Sequence, residues 1–439
     1  MRVILKNFRV IDEETDIQGT VFVDNGFISG VFPGKQPPDS GAAMIIDGSA
    51  LAASGALPVL MPAFVDLHAH FRDPGFSENT NTELSPVPEN LESASMSAAA
   101  GGFGTVVCMA NTKPPIDSIK RAQYIKKHSG SLALIDLYPV LSLTKGMEGK
   151  ELSEITDLNP RPDMVLPASW DDPLMLSEDG KDVTDDALFL AAMKEAKRLN
   201  LPISCHCDFG GDENNAVRRV IELGKKALCH IHIAHVSTRE ALNTIAKAKA
   251  ETRAQSANTG GFTLSCEAMP HNLCLTEKDA IAMGETSYGR VNPPLRSEED
   301  RKALIHSVAD GTIDAIATDH APHSAAAKEA GAPGFSGFET AFAAVYTELV
   351  QNGFIDLKKL SSLMSASPAR LLGLDKGPQK RGLILPGYRA DIVVADTEAS
   401  WIVDTSALKT RGKNSSFAGK KLYGKIIMTL HSGRVVFIS

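Results

Sequence analysis

The chain has 439 residues, of which 43% are hydrophobic and 22% are charged, and its formal net charge at pH 7 is -8. This composition is typical of a globular protein, and the length accommodates one large barrel and a small accessory domain. Lysine and arginine are scattered, without runs or interleaved aromatic residues, so the sequence offers no basic face to a nucleic acid. We therefore expect no nucleic-acid partner.

Neither the cysteines nor the amino terminus indicates export. The 6 cysteines lie in apolar, strand-like segments without paired CxxC spacing, which favours free thiols in a reducing cytoplasm. The first residues, MRVILKNFRVIDEETD, interrupt their apolar positions with charges too early for a signal peptide. The uncharged stretch between Asp47 and Asp66 contains Gly55, Pro58 and Pro62, and we interpret it as a linker followed by a buried strand. We expect a cytoplasmic protein without a membrane segment.

The predicted secondary structure divides the chain into three parts. Residues 1–57 contain strands with glycine turns, as in GTVFVDNGFISGVF. Residues 58–376 alternate short apolar runs with helix-like segments, the pattern of parallel strands joined by crossover helices. Residues 377–439 return to strands, as in GKIIMTLHSGRVVFIS. We predict that residues 1–57 and 377–439 pair into one small β domain beside the central part.

The central part contains eight candidate strands, which are AFVDLHAH, GTVVCMAN, ALIDLYP, DMVLPAS, PISCHCD, HIHIAHVS, FTLSCEA and DAIATDH. One intervening segment, TDDALFLAAMKEAKRLN, predicts an amphipathic helix that Thr184 caps. Eight strand-helix units in succession predict an α/β fold, a closed (β/α)8 TIM-like barrel. An open doubly wound sheet has the same local pattern, and we favour the barrel.

Two histidines lie one residue apart where the first of these strands ends. Residues two apart in a strand face the same side, so His68 and His70 of FVDLHAHFRDPG share a face while Ala69 points away. In a barrel that face opens into the mouth at the carboxyl ends of the strands, where barrel enzymes hold their active sites. A lone histidine is most often a hydrogen-bonded structural residue, but two neighbouring imidazoles are costly to bury unless they bind a metal. The pair predicts half of a metal site.

Other predicted strands end in the same way. His206 closes PISCHC, His235 closes HIHIAH, and ATDHAPH places Asp319 and His323 after the eighth strand. These ends converge in a barrel. At SCHCD the alternation turns both thiols away from His206, so imidazole is the expected ligand there. We assign structural roles to five other histidines, which are His128, His230, His232, His306 and His431.

These motifs resemble those of the dihydroorotase family within the amidohydrolase superfamily. The resemblance covers nearly the whole chain and rests on DLHAHFRDPG, LSEDGKDV, HIAHVST, VNPPLRS, ATDHAPHS and GFET. It implies a hydrolase that interconverts N-carbamoyl-L-aspartate and L-dihydroorotate in pyrimidine biosynthesis. It also implies two zinc ions per chain, a homodimer, and association with aspartate carbamoyltransferase.

The resemblance assigns a role to each candidate ligand. The implied metal ligands are His68, His70 and Asp319 for the first zinc, His206 and His235 for the second, and Asp179 as the bridge. Asp179 is the second acid of SEDG, where many bacterial relatives have SDDG, and its alternative role is that of a turn aspartate. Other relatives bridge with a carboxylated lysine at the end of the fourth strand, and MVLPASWDD offers none. Asp319 is also the implied catalytic general base and acid.

The substrate side of the site follows from the same resemblance. The implied substrate-binding residues are His70, Arg72, Asn111, Asn292, His323, Pro333 and Gly334. A planar guanidinium suits the carboxylate of dihydroorotate, and Arg72 shares the inward face of His70. The alternative for Arg72 is a surface ion pair with Asp73. Asn111 and Asn292 have alternative roles in a loop and in the NPP turn.

Two other functions fit parts of this pattern. A dihydropyrimidinase, hydantoinase or allantoinase shares the fold and the metals, but these enzymes usually need the bridging lysine and lack the ATDHAPH context. An inactive homologue that acts as a scaffold for another pathway enzyme is expected to have lost ligands. Here every ligand position is filled.

Overall fold

The computed structural model of the protein describes residues 1–34, 43–73, 89–161, 172–208, 211–255 and 261–439. The strands are β1 (Arg2–Ile11), β2 (Asp16–Asp24), β3 (Phe27–Pro33), β4 (Met44–Asp47), β5 (Val59–Pro62), β6 (Phe64–Ala69), β7 (Phe103–Cys108), β8 (Asp136–Pro139), β9 (Leu176–Ser177), β10 (Ile203–Cys205), β11 (His230–Ile233), β12 (Thr263–Ala268), β13 (Ala315–Ile316), β14 (Ile392–Ile402), β15 (Lys421–His431) and β16 (Arg434–Ile438).

The α-helices are α1 (Leu91–Ala100), α2 (Ile119–Leu132), α3 (Asp186–Leu199), α4 (Glu213–Ala227), α5 (Arg239–Gln255), α6 (Pro270–Cys274), α7 (Glu277–Met283), α8 (Glu298–Asp310), α9 (Ala325–Glu329), α10 (Phe338–Val345), α11 (Leu357–Ser361) and α12 (Ser367–Leu371). Within the described residues, no helix combines the length and the apolarity that crossing a bilayer requires.

Strands β6 to β13 form a closed parallel barrel, as the sequence predicts. Three of them pair in the order β6-β7-β8 and five in the order β9-β10-β11-β12-β13. Parallel bridges between Leu141 and Leu176 and between Ala69 and His320 join these two sheets at both seams. The apolar core lies between the strands and the helices, where Ile203 and Ile231 are fully buried and Ile231 packs against Gly224 of α4. Closure at both seams rules out the open doubly wound sheet.

The fourth barrel strand is not the predicted one. The segment DMVLPAS lies within residues 162–171, outside the described residues. The strand between β8 and β10 is β9, which pairs with β10 through Leu176 and Ser177. DMVLPAS therefore stays an untested prediction, and β9 was not predicted because it is too short to show the apolar periodicity by which strands are recognised. The SEDG motif therefore begins at the last residue of β9, and Asp179 stands just beyond the end of a barrel strand.

Both ends of the chain contribute to one sheet beside the barrel. Its strands run in the order β16-β15-β14-β5-β1-β2-β3, with β4 paired to β1. β14 pairs antiparallel with β5, and Ile392 lies opposite Pro62. The sheet buries its own apolar cluster, which includes Val3, Phe8 and Leu430. The division at residues 57 and 376 stays a prediction, and β5 is the strand where this sheet passes into the barrel.

The predicted amphipathic helix is present as α3, but its capping residue differs. The carboxylate of Asp185, rather than the hydroxyl of Thr184, accepts hydrogen bonds from the backbone N–H groups of Ala187 and Leu188. Asp185 has extended backbone angles and stands directly before the first helical residue, which is the position that caps require. Thr184 as the cap is therefore wrong by one residue.

Candidate functional site

A cavity of about 230 Å³ opens at the carboxyl ends of the barrel strands. Its lining contains all but one of the predicted site residues, which are His68, His70, Arg72, Asn111, Asp179, His235, Asn292, Asp319, His323, Pro333 and Gly334. The remaining one, His206, contacts the cavity wall through its ring nitrogen, which lies 2.9 Å from Nε2 of His235. The barrel thus brings together every residue that the sequence analysis selected.

Each candidate ligand sits at or just after the end of a strand. His68 lies within β6, and His206 directly follows β10. His235 follows β11 and Asp319 follows β13 by a few residues, and Asp179 follows β9 in the same way. Because the carboxyl ends of parallel strands meet at one edge, five separate segments deliver their side chains to one point.

The ligand atoms form two overlapping groups. The donor atoms of His68, His70 and Asp319 lie within 4.8 Å of one another, and so do those of His68, His206 and His235. All these side chains are buried or nearly so, with His68 only 1% exposed. Imidazole and carboxylate donors at this spacing suit a divalent transition metal.

Asp179 lies between the two groups. One of its carboxylate oxygens is 3.1 Å from Nδ1 of His206 and the other is 3.4 Å from Nε2 of His70. Its neighbour Glu178 turns the other way and accepts hydrogen bonds from the backbone N–H groups of Leu143 and Thr144 at 2.8 and 3.0 Å. Of the two acids in SEDG, Asp179 alone faces the histidines.

Outer partners fix which nitrogen of each histidine faces the centre. Nδ1 of His68 donates to Glu267 at 3.0 Å, and Nδ1 of His70 donates to the side-chain oxygen of Asn111 at 2.8 Å. The Nε2 atoms then face carboxylate oxygens of Asp319 at 3.6 and 3.1 Å. Nε2 of His68 has no hydrogen-bond partner among the described residues. Unprotonated nitrogens opposite carboxylates repel unless a cation lies between them, so these residues fit a bound metal.

Burial and charge set the protonation of the cluster. Burial alone lowers the pKa of His68, but the neighbouring carboxylates, with Asp319 contributing most, raise it to about 10, so that without a metal a proton on Nε2 takes the place of the cation. Burial lowers the pKa of His206 to about 3, which keeps that ring neutral. Burial raises the pKa of Asp179 and of Asp319, but the surrounding histidines outweigh it and hold both below the usual range. The cluster therefore concentrates negative charge that attracts a cation.

Glu267 and His232 also belong to the surroundings of the cluster, although neither is among the predicted site residues. Glu267, at the end of β12, accepts from His68 with one carboxylate oxygen, and its other oxygen lies 3.1 Å from Nε2 of His232. His232 was assigned a structural role because its parity is opposite to that of His235, yet through Glu267 it is one contact away from a candidate ligand. A glutamate buried in the apolar strand FTLSCEA was the available signal.

The strand ends around the cavity include strained backbone. Arg72, His235 and Asp319 have φ angles of 63°, 32° and 46°. Residues with a Cβ rarely adopt this left-handed region, and such conformations persist where the surrounding structure enforces them, most often at functional sites.

Arg72 and His323 lie next to each other in the lining of the cavity. Nη2 of Arg72 lies 3.4 Å from Nε2 of His323, which itself donates to the backbone carbonyl of Pro333 at 2.8 Å. Burial lowers the pKa of Arg72, and burial together with Arg72 lowers the pKa of His323 to about 3. Asp73, the alternative partner of Arg72, accepts a hydrogen bond from the backbone of Leu91. This side of the cavity has a fixed positive charge beside a neutral imidazole.

The two asparagines lie in different surroundings. Asn111 joins the candidate ligands, because its amide nitrogen donates to Asp179 at 2.9 Å while its oxygen accepts from His70. Asn292 lines the cavity from a loop that precedes α8. Gly334, on the adjoining loop, has a φ of 129°, and a Cβ there would lie 2.6 Å from Cβ of Ala321, so only glycine fits.

Comparison with known proteins agrees with this geometry. The model of the amidohydrolase family matches residues 59–436. A dihydroorotase from Clostridium botulinum is 35% identical over 445 residues, with 100% of both chains covered. A dihydroorotase from Aquifex aeolicus is 33% identical over 465 residues, covering 100% of this chain and 99% of the relative.

Solved structures show the same fold at lower identity. The L-hydantoinase (dihydropyrimidinase) from Arthrobacter aurescens superposes with a TM-score of 0.80 at 24% identity, covering 99% of this chain and 95% of that one. The dihydropyrimidinase from Brevibacillus agri also gives 0.80, at 20% identity and with the same coverage. The fold is thus the barrel with a small β domain, and the full-length relatives place the sequence more narrowly. The chain belongs to the amidohydrolase family and, within it, to the dihydroorotases.

Proposed function

We propose that this protein is a dihydroorotase, which interconverts N-carbamoyl-L-aspartate and L-dihydroorotate in pyrimidine biosynthesis. The observation that carries the proposal is the cationic side of the cavity facing the histidine-carboxylate cluster. Full-length identity to dihydroorotases supports the same substrate. The reaction is the opening or closing of a cyclic amide, which is hydrolase chemistry.

We infer that the cluster holds two zinc ions. His68, His70 and Asp319 would hold the first, His206 and His235 the second, and Asp179 would bridge them. Imidazole and carboxylate ligands are those that zinc prefers in catalytic sites. When bound, the ions would supply Lewis-acid activation of water and of the ring carbonyl.

Arg72 is the proposed receptor for the substrate carboxylate. The guanidinium of Arg72 is buried beside neutral His323, and its Nε has no hydrogen-bond partner among the described residues, so the carboxylate of dihydroorotate can bind there. Asn111 would donate to the same end of the substrate. Asn292 and the backbone at Pro333 and Gly334 would hold the ring from two adjoining loops.

Asp319 is the proposed proton carrier. Its carboxylate lies at the cavity wall, is ionised because the neighbouring histidines outweigh burial, and therefore starts as a base. It would take the proton that the attacking water loses and deliver it to the ring nitrogen as the amide C–N bond breaks. In the synthetic direction it would take the proton from the ureido nitrogen as that nitrogen bonds to the carboxyl carbon, and deliver it to the oxygen that leaves this carbon as water.

A turnover assay on protein of measured metal content tests the proposal. We expect consumption of carbamoyl aspartate and formation of dihydroorotate, loss of both with a chelator, and recovery with zinc. Activity in protein that contains no transition metal would overturn the metal assignment. Turnover of hydantoin or dihydrouracil without turnover of dihydroorotate would favour the hydantoinase alternative, and metal-loaded protein inactive on all of them would favour the scaffold.

Three finer expectations from the resemblance stay predictions. These are a homodimer, association with aspartate carbamoyltransferase, and residence in the cytoplasm. Sedimentation of the purified protein alone, and then together with the carbamoyltransferase of its own source, tests the first two directly.

A further inference from the structure

Lys328, on the short helix α9, is a buried cation that the proposed reaction does not use. Its side chain is 0% exposed. Its ammonium group donates hydrogen bonds to the backbone carbonyls of Arg290, Ala332 and Gly334 at 2.9, 2.8 and 3.0 Å. Among the described residues no carboxylate pairs with it. A buried charge is costly, and here three carbonyl acceptors compensate it.

These three carbonyls belong to the two loops that line one side of the cavity. Arg290 lies two residues before Asn292, and Ala332 and Gly334 stand on either side of Pro333. The backbone N–H of Gly334 also donates to the carbonyl of Arg290 at 3.0 Å. The Lys328 ammonium therefore joins both loops at one point.

The same contacts determine where the Pro333 carbonyl points. The carbonyls before and after it turn toward Lys328, and the Pro333 carbonyl turns toward His323 and accepts from its Nε2 at 2.8 Å. The tautomer and ring orientation of His323 follow from that bond, since the hydrogen must lie on Nε2. His323 in turn lies beside Arg72.

We propose that Lys328 is a positioning residue for substrate binding: it holds the Asn292 and Pro333 loops together and thereby orients His323. This inference rests on the proposed dihydroorotase function. The burial that surrounds the ammonium lowers the pKa of Lys328 to about 8, in keeping with a site without a counter-ion. Lys328 touches none of the candidate metal ligands, so its effect is on the substrate side alone.

The test compares Lys328→Met with Lys249→Met in the metal-loaded full-length enzyme. Lys249, on α5, is also a buried lysine, 7% exposed, that donates to a backbone carbonyl, that of Thr312, at 2.7 Å. It lies away from the cavity and pairs with Asp314. Both variants lose buried hydrogen bonds, and only Lys328→Met disturbs the two loops.

We expect Lys328→Met to raise KM for dihydroorotate roughly tenfold to a hundredfold, with a much smaller change in kcat and unchanged zinc content. The reason is that displaced binding groups weaken the binding of the substrate and lower kcat/KM by a factor of this size. Lys249→Met should lower the melting temperature and leave KM unchanged. Equal KM in Lys328→Met and wild type, or an equal rise in both variants, would overturn the proposal.

Amide hydrogen exchange gives a readout that does not depend on turnover. In Lys328→Met the peptide covering residues 329–335 should exchange faster, and in Lys249→Met it should keep the wild-type rate. Unchanged exchange in Lys328→Met would overturn the inference whatever the enzyme does. Absence of dihydroorotate turnover in the wild type would instead overturn the proposed function, and the two failures are thus distinguishable.

Discussion

Glu267 accepts a hydrogen bond from Nδ1 of His68 at 3.0 Å, in a region where both side chains are at most 1% exposed. The bond leaves Nε2 of His68 directed toward Asp319 and the centre of the cluster. Carboxylates in this position orient a ligating imidazole and increase its basicity. Burial raises the pKa of Glu267, but His232 and His68 outweigh it and keep the carboxylate ionised.

We expect Glu267→Gln to weaken metal binding. The amide keeps the shape and loses the charge, and loss of such a partner typically costs tenfold to a hundredfold in metal affinity. Competition with a chromogenic chelator measures the affinity. Glu251→Gln, which changes an exposed glutamate paired with Lys225, is the control. Equal affinity in wild type and Glu267→Gln would show that Glu267 only fills space.

The two candidate carboxylate ligands should differ in their effects. Asp319→Asn removes the proposed proton carrier together with a ligand, and we expect nearly complete loss of turnover. Asp179→Ala should mainly lower the occupancy of the second metal, since Asp179 lies between His70 and His206. Metal analysis and single-turnover rates measure both. If Asp179→Ala leaves metal content and rate at wild-type values, Asp179 is a loop residue and not the bridge.

Arg72 should determine the preference for a charged substrate. A hydrogen bond to a charged group contributes about 1.5 to 3 kcal/mol, so Arg72→Met should lower kcat/KM for dihydroorotate about tenfold to a hundredfold. Zinc content should not change. Activity on dihydrouracil, which lacks the carboxylate, should change far less. Equal losses on the two substrates would show that Arg72 supports the fold or the metals.

A buried ion network joins the barrel to the terminal sheet. Asp136, at the start of β8, accepts from Arg381 at 2.6 Å and lies 2.5 Å from Nη1 of Arg389, whose Nε lies 2.7 Å from Asp391. We expect Asp136→Asn to lower the free energy of unfolding by about 3 to 5 kcal/mol, because two buried guanidinium groups are then left to share the single carboxylate of Asp391. Urea unfolding measures this, and exposed Asp157→Asn is the control.

The same network predicts acid sensitivity. Burial raises the pKa of Asp136, but Arg389 and Arg381 outweigh it and hold the pKa well below its usual range. The stabilisation is therefore complete above the unfolded pKa of about 3.9, and it is lost as the pH falls through the lower folded value. Asp136→Asn should flatten this part of the stability curve. If the free energy of unfolding of the variant falls at acid pH as steeply as that of the wild type, other carboxylates cause the acid unfolding.

Local patterns in the sequence were sufficient to predict the barrel and to select side chains that the fold brings together, whereas their roles as ligands stay a prediction. Alternation within β6 determines that His68 and His70 share a face, and the barrel topology brings the strand ends together whatever lies between them. The SEDG motif identified Asp179 as a candidate ligand, but the position of Asp179 at the end of β9 could not be predicted. A two-residue strand has no periodicity, and only its pairing with β10 defines it.

Contacts between distant segments could not be predicted in this way. Glu267 and His68 are 199 positions apart, and nothing local in FTLSCEA indicates which imidazole its carboxylate meets. Lys328 follows ATDHAPH in the short alanine-rich segment SAAAKEAGA, where a lysine is ordinarily solvated. Its burial arises from the loop that folds back over it at Gly334, whose positive φ is a property of the folded backbone.

The pairing of β5 with β14 has a consequence for synthesis. The entire barrel lies between these partners, so β1 to β5 leave the ribosome long before β14 exists, and the edge of β5 stays open to wrong partners meanwhile. We expect nascent chains stalled before residue 390 to be cleaved by protease within residues 1–34, and released full-length chains to resist. Equal resistance in both would show that the amino-terminal strands fold on their own. If only the full-length chains resist, the edge of β5 stays accessible to chaperones and proteases until the carboxyl terminus has been synthesised and β14 pairs with it.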